Sequence, residues 1–143
     1  MMRAFSLAEA GGWLGAQCAS GDLASVSFAG VSTDTRTLEP GQLFVALRGE
    51  NFDGHRFLQQ AMDKGAVGLV VDTPDTNLAL PQLVVNDTLE ALARLAAANR
   101  EESTAAILAI TGSSGKTTVK EMCAAILSQM GKTLSTKGNL NNH

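Results

Sequence analysis

One stretch of this chain, residues 105–131, limits its possible folds more than any other. Apolar residues 105–111 read as a strand, Gly112-Ser113-Ser114-Gly115-Lys116-Thr117-Thr118 as a tight loop, and residues 119–130 as a helix. Ile107, Leu108 and Ile110 predict a buried strand; Val119, Met122, Cys123, Ile126 and Met130 recur at helical spacing, and Gly131 is the stop. That order suits a bound polyphosphate. Small residues let consecutive N–H groups curl around phosphate oxygens, and the positive end of the helix dipole faces the same charge. Lys116 then reaches the β- and γ-phosphates, and the Thr117 hydroxyl is placed to ligate Mg²⁺. In one place the pattern departs from the full phosphate loop: Ile110 stands where an outer glycine belongs, five residues before Gly115. The plainer reading is a strand-to-helix turn with a solvated lysine, and the flanking strand and helix favour the phosphate cradle over it.

At 143 residues the chain is long enough for one ordinary domain or two small ones. With 45% apolar and 17% charged residues it reads as globular rather than disordered. A net charge of −3 gives no electrostatic case for nucleic acid as a partner, so a polyphosphate must be held locally, by a backbone cradle, a lysine and Mg²⁺. Cys18 and Cys123 show no metal-ligand spacing, and Cys123 falls on the apolar helix face, which predicts a buried thiol in a reducing compartment. Residues 1–10 lack the apolar core of a signal peptide, and no window approaches the roughly 18 apolar residues of a membrane span. The expectation is a soluble, cytoplasmic protein without membrane insertion.

Upstream, Ser6-Leu7-Ala8-Glu9 is a capping box for a short helix, which Gly11 and Gly12 are expected to interrupt before Trp13 and Leu14. Residues 23–31 alternate small polar and apolar types and predict strand. The run Leu43-Phe44-Val45-Ala46-Leu47, bounded by Pro40-Gly41 and Gly49, predicts a buried strand. A helix over 56–64, with Phe57, Leu58, Ala61 and Met62 as its apolar members, ends at Gly65; residues 67–71 form another buried strand. This β-α-β alternation implies parallel pairing and an α/β architecture. Residues 72–80 are turn-rich, residues 83–85 a short strand, and Asn86-Asp87-Thr88 cap a helix over 89–100 whose apolar face reads as Leu89, Leu92, Ala93, Ala96 and Ala97. A domain boundary is expected near Val85 and Asn86, giving a small α/β domain over 1–85 and only the opening of a second over 86–143. About 58 residues follow Val85, too few for a nucleotide-binding α/β domain, so the stretch reads as a fragment that cannot complete catalysis alone.

A second polar constellation runs from Ser32-Thr33-Asp34-Thr35-Arg36 to Arg48-Gly49-Glu50-Asn51-Phe52-Asp53-Gly54-His55, on both sides of the strand 43–47. Two polar loops flanking one strand can rim a pocket for a uracil or sugar, with Arg36 or Arg48 on a diphosphate. The same residues can equally hold their own turns together, and residue types leave both readings open. His55 reads as a surface or capping residue rather than a catalyst.

Taken together, Ser32-Thr33-Asp34-Thr35-Arg36, the run from Pro40-Gly41-Gln42 to Leu47, Asp53-Gly54-His55-Arg56-Phe57 and Thr111 to Thr117 resemble the Mur ligases, the ATP-dependent amide ligases of peptidoglycan synthesis. The phosphate loop without its outer glycine is itself a trait of that family. With Gly138-Asn139-Leu140-Asn141-Asn142, the chain looks most like the member that joins D-alanyl-D-alanine to a UDP-N-acetylmuramoyl-tripeptide; the member that adds the third amino acid is the nearest rival. The resemblance implies a first domain that binds the UDP end and the first β-α-β part of a P-loop ATPase domain. By motif position, Thr33, Thr35, Glu50, Asn51 and Phe52 meet the uridine, and Ser32, Asp34 and Arg36 shape or join that site. Gly112, Ser113, Ser114, Gly115, Lys116, Thr117 and Thr118 bind ATP, Thr117 holds Mg²⁺, and Asn139, Asn141 and Asn142 line the same cleft. Two readings from other classes compete: a stand-alone nucleotide-binding module without chemistry, and a small P-loop kinase, which leaves the first 85 residues without purpose.

Overall fold

A computed structural model describes residues 3–19 and 21–136. Its elements in chain order are β1 (Phe5–Ser6), α1 (Leu7–Leu14), β2 (Gln17–Cys18), β3 (Ser27–Phe28), β4 (Val31–Ser32), β5 (Leu43–Val45), β6 (Arg48–Gly49) and β7 (Phe52–Asp53). After a 3-10 turn over Gly54–Phe57 come α2 (Leu58–Asp63), β8 (Gly68–Val71), β9 (Gln82–Val84), α3 (Thr88–Glu101) and α4 (Lys116–Leu127). The chain divides into two compact units between Thr104 and Ala105.

In the first unit a five-stranded sheet has the order β2-β9-β8-β5-β4. Strands β4, β5, β8 and β9 run parallel, and β2 closes the β9 edge antiparallel. This is the expected α/β architecture. The apolar runs are continuous because both sheet faces are covered, so successive residues serve opposite faces. Leu43, Val45 and Val70 join one core with Leu7, Ala10, Leu14, Leu83, Ala91 and Leu95; Phe44, Ala46, Leu69 and Val71 join another with Leu58, Ala61 and Leu78. Helices α1 and α3 thus cover one face and α2 the other.

Several local expectations are corrected. The capping box forms, with Ser6 Oγ accepting from Glu9 N–H (3.1 Å) and Ser6 N–H donating to Glu9 (2.7 Å). The helix nonetheless runs through Gly11 and Gly12 to Leu14, because burial of Ala10 and Leu14 outweighs glycine's weak helix preference; it ends at Gly15. The predicted strand over 23–31 is instead two short ones: β3 pairs with β1, while β4 joins the main sheet. The Asp87 side chain caps α3 through Leu89 N–H and Glu90 N–H, but the buried face is Thr88, Ala91, Leu95 and Ala98, with Leu89 60% exposed. Helix α3 packs on α1 and β8 and belongs to the first compact unit, which runs to Thr104. The turn-rich segment after β8 is pinned by buried Gln82, whose amide donates to Asp75 O (2.7 Å) and accepts from Asp75 N–H (2.9 Å).

In the second unit α4 begins at Lys116, so Lys116, Thr117 and Thr118 occupy its first turn rather than the loop. Residues 106–111 carry no strand assignment, and Ile107 and Leu108 are 62% and 60% exposed; a strand is completed by neighbours, and none pairs with it among the described residues. Cys123 is half-buried and Cys18 exposed.

Candidate functional site

In a parallel sheet all strands end on the same edge, and ligands of open α/β sheets bind outside those carboxyl ends. Here β4 leads into Thr33–Arg36, β5 into the β6–β7 hairpin, β8 into Asp72 and Thr73, and β9 into Asn86 and Asp87. Both polar loops of the second constellation predicted from sequence therefore lie at one sheet edge, on neighbouring strands.

The first loop is held from below. Ser32 Oγ donates to Asp34 O (3.0 Å) and accepts from Asp34 N–H (3.3 Å). Thr35 is buried; its hydroxyl donates to Gln60 Oε1 (2.7 Å), and its carbonyl accepts from Lys64 Nζ (2.7 Å). Arg36 turns its guanidinium onto Asp34, with Nε and Nη2 donating to Oδ2 at 2.9 and 2.6 Å. The Arg36 side chain and backbone N–H hold the Asp34 carboxyl down at about 2. Thr33 remains half-buried at the rim. Of the first-loop candidates, Thr35 is thus engaged inward and Arg36 is paired to its own loop.

In the second loop, Arg48 pairs with Asp53 and Gly49 with Phe52, leaving Glu50 and Asn51 as a two-residue hairpin tip, exposed together with Phe52. Phe52 stacks on Phe57 with ring centroids 5.9 Å apart and planes 14° from parallel. The hairpin returns under Leu47, where Gly54 N–H donates to Leu47 O (2.8 Å). A Cβ at Gly54 would sit 3.0 Å from backbone atoms of Ala46 and Leu47, so a side chain there would push that backbone aside by a few tenths of an ångström. Arg48 is not free for a diphosphate: Nε lies 2.9 Å from Asp72 Oδ2, and Nη2 donates to Thr73 Oγ1 (3.4 Å). His55 is no surface group either. Its side chain is 11% exposed and set between Asp53 and Asp72, and its backbone N–H, then its ring, lower the Asp53 carboxyl.

Residues that sequence reasoning missed are Gln60, Lys64 and Asp72. Asp72 could have been found, because it ends the apolar run 67–71 where a parallel strand delivers its carboxyl end. Gln60 and Lys64 carried no signal beyond a solvated helix face. Two cavities of about 250 Å³ each flank Val85 and Asn86 at the β9 end of the same edge.

In the second unit Gly115 caps α4 at φ 74°, a left-handed conformation that glycine adopts without strain, and no side chain caps the helix. Its first N–H groups thus present the positive end of the helix dipole. Lys116 Nζ folds over the loop and donates to the Gly112 carbonyl. Ser113, Ser114, Thr117 and Thr118 are exposed around it. One turn on, Lys120 Nζ donates to Thr136 O (2.7 Å), tying the segment after the helix back to it. Asn139, Asn141 and Asn142 lie outside the described residues. Among the described residues no cluster of His, Cys, Asp and Glu could hold a metal ion, and no helix is long and apolar enough to cross a membrane.

A parallel α/β unit followed by a glycine loop at an uncapped helix start defines a phosphate-loop α/β protein. Residues 27–100 match the Mur ligase family, catalytic domain, and residues 110–143 the Mur ligase middle domain. The chain belongs to the Mur ligase family. It is 56% identical over 119 residues to the UDP-N-acetylmuramoyl-tripeptide–D-alanyl-D-alanine ligase of Escherichia coli (strain K12), covering 83% of this chain and 26% of that protein. With the ligase of the same name from Bacillus subtilis (strain 168) it shares 45% identity over 118 residues, 80% of this chain and 25% of the relative. Among solved structures, MurF from Acinetobacter baumannii superposes with a TM-score of 0.87 at 37% identity, over 99% of this chain and 31% of that one. MurF ligase from Thermotoga maritima in complex with ADP gives 0.67 at 31% identity, over 78% of this chain and 26% of that one. The chain thus spans about a quarter of the length of the curated relatives it matches.

Proposed function

We propose that this chain carries the UDP-recognition unit and the phosphate loop of an ATP-dependent amide ligase that joins D-alanyl-D-alanine to a UDP-N-acetylmuramoyl-tripeptide in cytoplasmic peptidoglycan precursor synthesis. The observation that carries the reading is the 56% identity to a ligase of that name, across both the first unit and the loop. The ADP complex of a relative supports an adenine nucleotide at the loop. The local geometry fits: a left-handed glycine at Gly115, a helix start without a side-chain cap, and Lys116 at the mouth of the loop.

In this reading the N–H groups from Gly112 to Thr118 cradle the β- and γ-phosphates. Lys116 exchanges the Gly112 carbonyl for phosphate oxygen and neutralises charge as it moves between acceptors. Thr117, in the first turn of α4, offers the hydroxyl for Mg²⁺. When bound, ATP supplies the phosphoryl group that turns the substrate carboxylate into an acyl-phosphate, from which the amine of D-alanyl-D-alanine displaces phosphate. The chain's own contribution is alignment and charge neutralisation. In the first unit the rim residues Thr33, Glu50, Asn51 and Phe52 meet the uridine, and Ser32, Asp34, Thr35 and Arg36 hold the loop that presents Thr33.

Isothermal titration of UDP-N-acetylmuramoyl-tripeptide into the chain tests this. Saturable heat that Asn51→Ala weakens is expected, and a folded chain that takes up none contradicts it.

A further inference from the structure

We infer that His55 is a positioning residue, held as the neutral tautomer with its proton on Nδ1, which latches the β6–β7 hairpin to the end of β8. The hydrogen bond from the Asp72 amide points to that tautomer, against a protonated Nε2 directed at Asp72 Oδ1, 3.3 Å away. Asp72 N–H lies 3.2 Å from His55 Nε2 and meets its lone pair when Nε2 carries no proton. The proton then sits on Nδ1, 2.8 Å from Asp53 Oδ1, to which it donates. An imidazolium would aim a second N–H at the Asp72 amide. Nor is it needed to satisfy Asp72, whose Oδ1 already accepts from Thr73 Oγ1 (2.7 Å) and whose Oδ2 faces Arg48 Nε (2.9 Å). The charged groups around the ring are Asp53 and Arg48 on the hairpin and Asp72 after β8, and all three are accounted for.

The two ring nitrogens do different work. Nδ1 closes a local turn, because Asp53 Oδ1 also accepts the His55 backbone N–H (3.0 Å). Nε2 reaches out of the hairpin to a strand that is central in the sheet and buried throughout. A two-residue hairpin such as β6–β7 has marginal stability of its own, so a tie to the sheet sets where Glu50, Asn51 and Phe52 stand. The Arg48 guanidinium supplies a second, exposed tie to Asp72, and the His55 ring the covered one. In the part that concerns substrate, this inference rests on the reading of that hairpin as a uridine rim.

Two amide substitutions separate the roles. Gln at 55 places a carbonyl near the Nε2 position and can still accept from Asp72 N–H, whereas Asn reaches only the Nδ1 position, toward Asp53. The test uses the whole chain at pH 7.5, with long-range ¹H–¹⁵N correlation for the ring and amide hydrogen exchange for the hairpin. The expected result is a neutral His55 ring with Nδ1 protonated. His55→Asn should speed exchange of the hairpin amides by about fivefold to tenfold, the loss of one net hydrogen bond, while His55→Gln leaves them near wild type. Amides of β5 and β8 serve as the internal control for folding. A ring protonated on Nε2, an imidazolium, or equal exchange in His55→Asn and wild type overturns the inference. With UDP as the probe, His55→Asn should bind more weakly than His55→Gln; equal affinities overturn the positioning role. A wild-type chain that binds no UDP counts against the uridine reading, and the tautomer and exchange data then still decide the latch.

Discussion

The first unit covers the apolar residues of its sheet on both faces, whereas the second leaves its own in solvent. Leu43, Val45, Leu69 and Val70 are fully buried, while Met122 and Ile126 on α4 are each 60% exposed and no residue of that helix is buried. The difference separates two kinds of site. A phosphate loop is a local object: one glycine turn and one helix start set its donors. A rim at the carboxyl edge of a sheet is collective, because four strands must align before their loops meet.

The contrast breaks most readily through the core. Phe44→Ala removes a 1% exposed ring and should cost about 3–5 kcal/mol, whereas Ile126→Ala should stay within about 0.5 kcal/mol. Urea unfolding followed by Trp13, the only tryptophan, checks both, since its ring packs edge-on against Phe5 at 5.0 Å inside the first unit. A comparable loss at Ile126 would mean that α4 is packed as tightly as the sheet. A smaller effect tests the boundary. Asp87→Ala removes the cap of α3 and should lower the stability reported by Trp13 by about 1 kcal/mol. No change there would place α3 outside the first unit.

The smallest effect is electrostatic. Arg36 holds Asp34 down to about 2 from an ordinary 3.8, so the pair's contribution is present above the ordinary value and is lost only as pH falls through about 2. Carboxyl titration by NMR should show Asp34 as one of the last carboxylates to protonate. A midpoint near 3.8 would mean that the pair does not hold in solution.

The parallel α/β plan was legible because a strand covered on both faces reads as an unbroken apolar run, and residues 43–47 and 67–71 are such runs. The phosphate loop was legible because its chemistry is written in seven consecutive residues. What failed was whatever depends on neighbours. Gly11 and Gly12 read as breakers until the burial of Leu14 is counted. The face of α3 was misread because alanines populate every side of it, and only packing on α1 and β8 selects Ala91, Leu95 and Ala98. Residues 105–111 have strand composition, yet pairing is a property of two segments. At the rim, the Thr35 hydroxyl donates to Gln60, a partner 25 residues away that no local pattern announces.

In the proposed function, the two units of this chain bind two ends of one reaction, a UDP-sugar at the sheet edge and a nucleotide triphosphate at the glycine loop. Amide chemical-shift mapping tests it most directly, with UDP and Mg·ATP added separately. UDP is predicted to shift residues among Thr33–Arg36 and Glu50–Asp53, and Mg·ATP residues among Gly112–Thr118, the latter lost in Lys116→Ala. Perturbation of Gly112–Thr118 by UDP with the rim unmoved, or Mg·ATP shifts that survive Lys116→Ala unchanged, would contradict it.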